Sequence, residues 1–350
     1  MTSASPAASP WQAPSDGAAG FGLAVLVNAN AKRGGRRLAV QIARALPGAT
    51  VRLTKTAGEI DAWLRTIPSP RALFAAGGDG TAVALVNALA RVTAASAPGP
   101  AVGILPVGTG NGWAHALGAP KLHRCLELLA ATSGPFPTRR YGLLEVEGTL
   151  AHFAGSGWDA MILDDYKRQL DATKGPGRRL TKSVYGYLAA TLLRTAPKVA
   201  LVGNPHLLIE NLGDEVFVVD GEGKPRLLEG AGRGAVLYDA PAGAAAAGTC
   251  PEFGYRFKAI PFAERMPGFI SVRVYDRGAL RAIAAIPSLW RGTHPIGGMH
   301  DWLVKSVRLT FSRPVSLQIG GDAFGKRRTI EFRAADREVR MVDWRRLLCV

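Results

Sequence analysis

Cysteine is scarce and scattered in this chain of 350 residues, present only as Cys125, Cys250 and Cys349. An odd number of widely spaced thiols gives no disulfide framework and no zinc-ligand spacing, which predicts reduced thiols in a cytoplasmic protein. Long apolar runs are missing as well. No stretch approaches the eighteen or more residues that cross a bilayer; Ala242–Ala247 is broken by Gly243 and is too short. Acidic residues number 27 against 43 Lys and Arg, a formal net charge of +16. That balance favours polyanionic partners. No RNP-type aromatic strand or basic zipper accompanies it, so specific nucleic-acid recognition has no module. An anionic membrane surface suits the charge, since each Lys or Arg near such a leaflet contributes about 1 kcal/mol. Nothing in the pattern sets the oligomeric state.

What is present is an apolar fraction of 47%, ample for cores, over a length that predicts about two domains. Residues 1–20, rich in Ser, Ala, Pro and Gly, read as a flexible tail without the basic start and apolar stretch of a secretory signal. Residues 21–138 then alternate strand and helix patterns. Strands are expected at Leu23–Val27, Thr50–Leu53, Ala72–Ala76 and Val102–Leu105, with helices at Arg37–Leu46, Glu59–Arg65 and Ala82–Arg91 between them. This is the pattern of a parallel sheet covered on both faces, an α/β nucleotide-binding domain. From residue 139 to 350 short alternating runs dominate, among them Val216–Val219, Ile270–Tyr275, Val307–Phe311, Val315–Ile319 and Thr329–Phe332. They predict a second domain, an antiparallel β-sandwich or open barrel, whose C-terminal end is free to pack back on the first domain, with a helical insertion at Leu180–Arg194 behind the basic turn Lys174–Arg179.

Two strand ends in the first domain carry chemistry. Leu73–Ala76 runs into Gly77-Gly78-Asp79-Gly80-Thr81, where near-absent side chains let backbone N–H groups approach an anion at a helix start. Gly103–Val107 runs into Gly108-Thr109-Gly110-Asn111, again ahead of a helical stretch. Ligands of such sheets sit at the carboxyl ends of strands, and both turns fall there. Gly77, Gly78, Gly80 and Thr81 would cradle phosphates, with Gly108, Thr109 and Asn111 wrapping the nucleotide. Asn28 and Thr54, ending the first two strands, border the same place; by themselves they read equally as cap or turn residues.

The G-G-D-G-T loop and the P-x-G-T-x-N turn, behind an opening strand that ends in Asn28, resemble the diacylglycerol kinase catalytic-domain family, which includes sphingosine kinases and bacterial lipid kinases. The resemblance is specific over about residues 21–135. It implies a phosphofructokinase-like nucleotide domain joined to a β-rich lipid-binding domain, using ATP and Mg²⁺ to phosphorylate a lipid hydroxyl, diacylglycerol or a sphingoid-like alcohol. It implies that Asp79 is catalytic, as a Mg²⁺ ligand or a carboxylate near the acceptor, and that Asp159, in Gly155-Ser156-Gly157-Trp158-Asp159-Ala160, faces the acceptor or holds the cleft between domains. A peripherally membrane-associated protein follows from a lipid substrate.

The chain also departs from the family. Val83-Ala84 stands where an Asn-Glu pair is usual, and Gly112 follows Asn111 where an Asp is usual. The C-terminal D-G-E motif is Gly320-Gly321-Asp322, which leaves Asp322 as the second catalytic candidate. Asp220-Gly221-Glu222 spells the tripeptide but reads as a hairpin turn. His294 and His300 read as structural. Two rivals stand beside the lipid kinase: a nucleotide- or lipid-binding protein of the same fold with impaired catalysis, and an NAD kinase, whose family shares the first loop but not the second turn.

Overall fold

The computed structural model describes residues 22–29, 35–68, 70–93, 99–108, 110–173 and 203–349. They belong to two compact units, Met1–Tyr141 with Arg337–Val350, and Gly142–Asp336.

In the first unit, β1 (Leu23–Asn28), β2 (Thr50–Thr54), β3 (Ala72–Gly77) and β4 (Ala101–Pro106) pair in parallel in the order β2-β1-β3-β4. Every residue of the central strand β3 is buried. That accounts for its unbroken apolar run, because a parallel sheet is covered on both faces. Edge strand β2 instead alternates exposed and half-buried positions. Helix α1 (Gly35–Ala45) buries Leu38 and Ile42 one turn apart, and α2 (Ala57–Thr66) buries Ile60, Trp63 and Leu64. Thr56 caps α2 by accepting the Glu59 amide at 3.3 Å. Helix α3 spans Asp79–Val92, three residues earlier than its apolar spacing predicts. Gly78 is its N-cap, and a first turn of Asp79, Gly80 and Thr81 carries no apolar signal. A negative side chain there complements the helix dipole.

The sheet does not end at β4. Helices α4 (Gly112–Ala116) and α5 (Leu122–Ala131) lead to β5 (Thr138–Tyr141), and the C-terminal strand β18 (Val339–Val342) inserts between β4 and β5. It pairs in parallel with β4 and antiparallel with β5. Helix α8 (Trp344–Leu348) follows, capped by Asp343, with Trp344 fully buried 6.0 Å from the Phe74 ring of β3. Two arginines close helix ends in this unit. Arg337 donates to the carbonyls of Ala90 at 3.1 Å and Thr93 at 3.2 Å beyond α3. Arg71 donates to those of Thr132 and Gly134, each at 2.9 Å, beyond α5. Cations at a helix C-terminus satisfy carbonyls that have no intrahelical donor.

The second unit is one antiparallel hydrogen-bonded network. Its path is β11 (Pro225–Leu227), β10 (Val216–Val219), β15 (Met299–Val304), β14 (Ile270–Tyr275), β13 (Ala244–Gly248), β8 (Phe153–Gly157), β16 (Ser306–Ile319), β17 (Asp322–Ala334), β6 (Leu144–Val146) and β7 (Thr149–Ala151). β9 (His206–Asn211) pairs β16, and β12 (Val236–Pro241) pairs β9. The runs Val307–Phe311 and Val315–Ile319, read from sequence as two strands, are one strand of 14 residues. Its register on β17 shifts between Thr310 and Val315, so Pro314 needs no ladder partner. The first half pairs β9 and the second half pairs β8, so the irregularity is where the strand changes neighbours. Asp220 closes the β10–β11 hairpin by accepting the amides of Glu222 and Lys224, each at 2.9 Å. Among the described residues the unit also has helices α6 (Trp158–Ala172) and α7 (Ala279–Arg291). Neither was read from the sequence. The tail, the basic turn Lys174–Arg179 and the helix expected at Leu180–Arg194 lie outside the described residues.

Candidate functional site

The carboxyl ends of β2, β1, β3 and β4 lie side by side, which gathers Thr54, Asn28, Gly77 and the turn after Pro106 along one sheet edge. Thr54 pairs with Asn28 in the β1–β2 register and is buried. Asn28 Nδ2 donates to Thr81 Oγ1 at 3.1 Å, which joins the first strand to the first turn of α3. Gly35, at the start of α1, packs on the backbone of Asn28 and Ala29: a Cβ there would lie 2.7 Å from the Asn28 carbonyl oxygen. Asn28, Thr54 and Thr81 are therefore brought together.

Gly77 cannot carry a side chain, because a Cβ would meet Thr81 Oγ1 at 2.1 Å. The amides of Thr81 and Ala82 are taken by the Gly78 carbonyl. Of the remaining first-turn amides, that of Asp79 faces its own carboxylate, while those of Gly78 and Gly80 have no intrahelical acceptor, the arrangement that suits an anion.

The second turn packs against the first. The amides of Val107 and Gly108 donate to the Gly77 carbonyl at 3.3 and 3.1 Å. Asn111 takes a left-handed conformation (φ 51°), and its Nδ2 donates to the Gly108 carbonyl at 3.0 Å. Its Oδ1 is buried with no hydrogen-bond donor. That leaves one buried acceptor at this turn for a ligand N–H or O–H. Gly108 lies against Gly78: a Cβ on it would come within 2.3 Å of the Gly78 Cα. Thr109 lies outside the described residues. Two amides of the second turn, those of Val107 and Gly108, thus brace the first.

Asp79 completes that brace. Its Oδ2 accepts the Gly112 amide and its Oδ1 the Trp113 amide, each at 3.0 Å. These two bonds make Asp79 a tie between the two turns, an attachment that the sequence did not show. Burial raises its pKa above the ordinary aspartate range, opposed by the amides of Trp113, Gly112 and Asp79 itself. The missing Asp at position 112 has a consequence here, because Gly112 brings its amide to Asp79 with no side chain of its own.

The second unit holds the other two candidates. Asp322 is exposed at the first position of β17, paired with Ile319 across a two-residue turn. Asp159 is the second residue of α6. Of the two histidines, His294 Nε2 bonds the Asp220 carbonyl at 3.0 Å, and His300 Nε2 bonds Asp276 Oδ2 at 2.8 Å. Among the described residues no group of three or more His, Cys, Asp or Glu forms a metal cluster. The Asp79 carboxylate is the kind of hard oxygen donor that suits Mg²⁺, an ion that commonly takes its remaining ligands from water and phosphates.

Sequence reasoning missed Arg345 and Arg139, which bond the Ala116 carbonyl at the end of α4, and Trp344, which packs by the Phe74 ring. The Asp343-Trp344-Arg345 run carried a helix-cap signal, but nothing in it pointed to β4.

Residues 22–135 match the model of the diacylglycerol kinase catalytic domain. The fold resembles that of a diacylglycerol kinase from Bacillus anthracis str. Sterne, with a TM-score of 0.59 at 14% identity over 93% of this chain and 97% of that one. A second structure from the same organism, described as a candidate diacylglycerol kinase, gives 0.60 at 16% identity over 93% and 98%. At such identities the likeness is one of fold. No curated protein sequence matches the chain. The resemblance carried by the two turns is borne out by the domain match over residues 22–135, and the α/β unit with an antiparallel partner is the expected fold class.

Proposed function

We propose that the protein is a lipid kinase, moving the γ-phosphoryl group of ATP to the hydroxyl of diacylglycerol or a sphingoid-like alcohol. The carrying observation is the first turn, where Gly77, with no room for a Cβ, opens a helix start whose amides suit phosphate oxygens. Gly77, Gly78, Gly80 and Thr81 hold the phosphates, while Asn28 and Thr54 border them. Gly108, Thr109 and Asn111 wrap the nucleotide, Asn111 through its undonated Oδ1. Mg²⁺, when bound, neutralises phosphate charge, and Asp79 is its protein ligand through lone pairs that the two amides leave. Phosphoryl transfer asks mainly for such positioning and electrostatic stabilisation. Asp322 accepts the acceptor's proton and Asp159 orients the acceptor. A peripheral, cytoplasmic location at anionic membrane suits the net charge of +16. No helix among the described residues is long and apolar enough to cross a membrane.

Incubating the protein with labelled ATP, Mg²⁺ and a panel of extracted lipids, then reading product mobility, tests this directly. A labelled lipid supports it. ATP binding without transfer to any lipid favours the catalytically impaired reading, which the Gly320 replacement motivates.

A further inference from the structure

Helix α4 has five residues, too few to hold itself by its own hydrogen bonds. Both of its ends are fastened from outside. At the N-terminal end Asp79 takes the amides of Gly112 and Trp113. At the C-terminal end the Ala116 carbonyl accepts two guanidinium groups, from Arg345 at 3.3 Å and Arg139 at 3.4 Å. Negative charge sits at the start and positive charge at the end, so both fastenings complement the dipole of the same short helix.

Arg345 is held firmly for this task. Trp344 beside it is fully buried, and Asp343 caps α8 by accepting the amides of Arg345 at 3.1 Å and Arg346 at 3.2 Å. The Arg345 stem lies flush on the chain leaving α4. Gly118 there has φ 77°, and a Cβ on it would come 2.5 Å from Arg345 Cγ. Arg345 and Arg139 both lie outside residues 22–135.

We propose that Arg345, assisted by Arg139, is a positioning residue for the nucleotide turn: the C-terminal segment clamps α4 from behind and thereby fixes Asp79 and Asn111. This rests on the nucleotide reading of residues 77–81 and 108–113. Loosening the Ala116 end lets α4 fray, which frees the two amides on Asp79 and the left-handed Asn111 together.

The test is ATP binding by titration calorimetry together with amide hydrogen exchange, on the full chain. Arg345→Met keeps the stem on Gly118 and removes the charge. It should weaken ATP binding about tenfold, the equivalent of about 1.4 kcal/mol, and speed exchange at Gly112–Leu117. Arg345→Lys should restore most of both, and Arg124→Met, at an exposed arginine of α5 paired with Glu127, should change neither. A folded Arg345→Met variant with parental ATP affinity overturns this role and leaves the nucleotide reading standing. A parent protein that binds no ATP overturns both.

Discussion

Asp79 Oδ1 accepts the backbone N–H of Trp113 at 3.0 Å, across 34 residues of sequence, while Oδ2 accepts that of Gly112. One carboxylate therefore sets the distance between the two turns of the candidate site. Asp79→Asn retains one acceptor and turns an NH₂ donor toward the other amide. Losing a hydrogen bond to a charged group costs about 1.5–3 kcal/mol, so ATP affinity should fall at least about tenfold, with transfer falling further. Calorimetric titration of the folded variant checks this; parental affinity would show that the tie is dispensable.

The raised pKa of Asp79 gives that tie a pH signature. The folded protein holds this proton more tightly than the unfolded chain. The group therefore favours folding below the ordinary value of about 3.9, and the contribution disappears as pH rises through the raised folded value. The tie runs the opposite way, because two amide donors need the carboxylate. Lowering the pH through the folded value should weaken ATP binding in the parent and leave Asp79→Asn flat over the same window. Over that window the parent should also gain stability relative to the variant. Parallel pH dependence of the two proteins in binding would remove Asp79 as the titrating group.

The strand ends and glycine turns were legible because a buried parallel strand shows as a continuous apolar run, and β3 is buried throughout. The division of labour between the turns was not. Glycine spelling predicts where backbone approaches something, but not whether that something is a ligand or another backbone; at Gly108 it is Gly78. Strand β13, Ala244–Gly248, was hidden because four alanines and a glycine carry no β-propensity. It is a strand because β8 and β14 pair with it on both sides. Strand β18 pairs β4 across more than two hundred residues, a relation no local pattern encodes.

Two glycine substitutions separate phosphate contact from turn packing. A Cβ at Gly78 would sit 3.4 Å from the Gly108 Cα, which is ordinary contact, whereas one at Gly108 would meet Gly78 Cα at 2.3 Å and its N at 2.8 Å. Backbone cannot swing aside as a side-chain tip can. Gly108→Ala should lower stability by about 1–3 kcal/mol and abolish ATP binding, while Gly78→Ala should fold with the parental midpoint. Urea unfolding with calorimetry distinguishes them, and equal midpoints would contradict the close approach.

The second unit carries a buried ion pair whose loss should be felt. Arg273 meets Asp301 in bidentate fashion at 2.7 and 2.9 Å, with side-chain exposures of 5% and 3%. Its remaining nitrogen donates to the Ala259 carbonyl at 3.2 Å. Asp301→Asn strands a buried guanidinium and should cost about 3–5 kcal/mol. The double change Arg273→Met with Asp301→Leu should recover much of that. A urea midpoint unmoved by Asp301→Asn would mean water reaches the pair.

The altered C-terminal motif decides between catalysis and binding alone. Gly320 and Gly321 have φ 57° and 88°, and Ile319 pairs with Asp322 across them. Positive φ at both central residues is the two-residue hairpin turn that takes Gly-Gly and Asp-Gly equally well. The Gly320 amide donates to the Phe153 carbonyl at 2.9 Å and the Gly321 amide to Gln318 Oε1 at 3.1 Å, and neither bond involves a side chain at position 320. Gly320→Asp should therefore fold normally and leave transfer intact or raise it. Asp322→Asn keeps the volume of the one acid that remains and removes its capacity to take a proton. General-base assistance contributes about 10²–10⁴-fold, so turnover should fall by about a hundredfold or more with ATP binding little changed. An Asp322→Asn variant that transfers phosphate to lipid at the parental rate would remove Asp322 from the chemistry. A parent without transfer that gains it through Gly320→Asp would identify the lost carboxylate as what separates this chain from an active kinase.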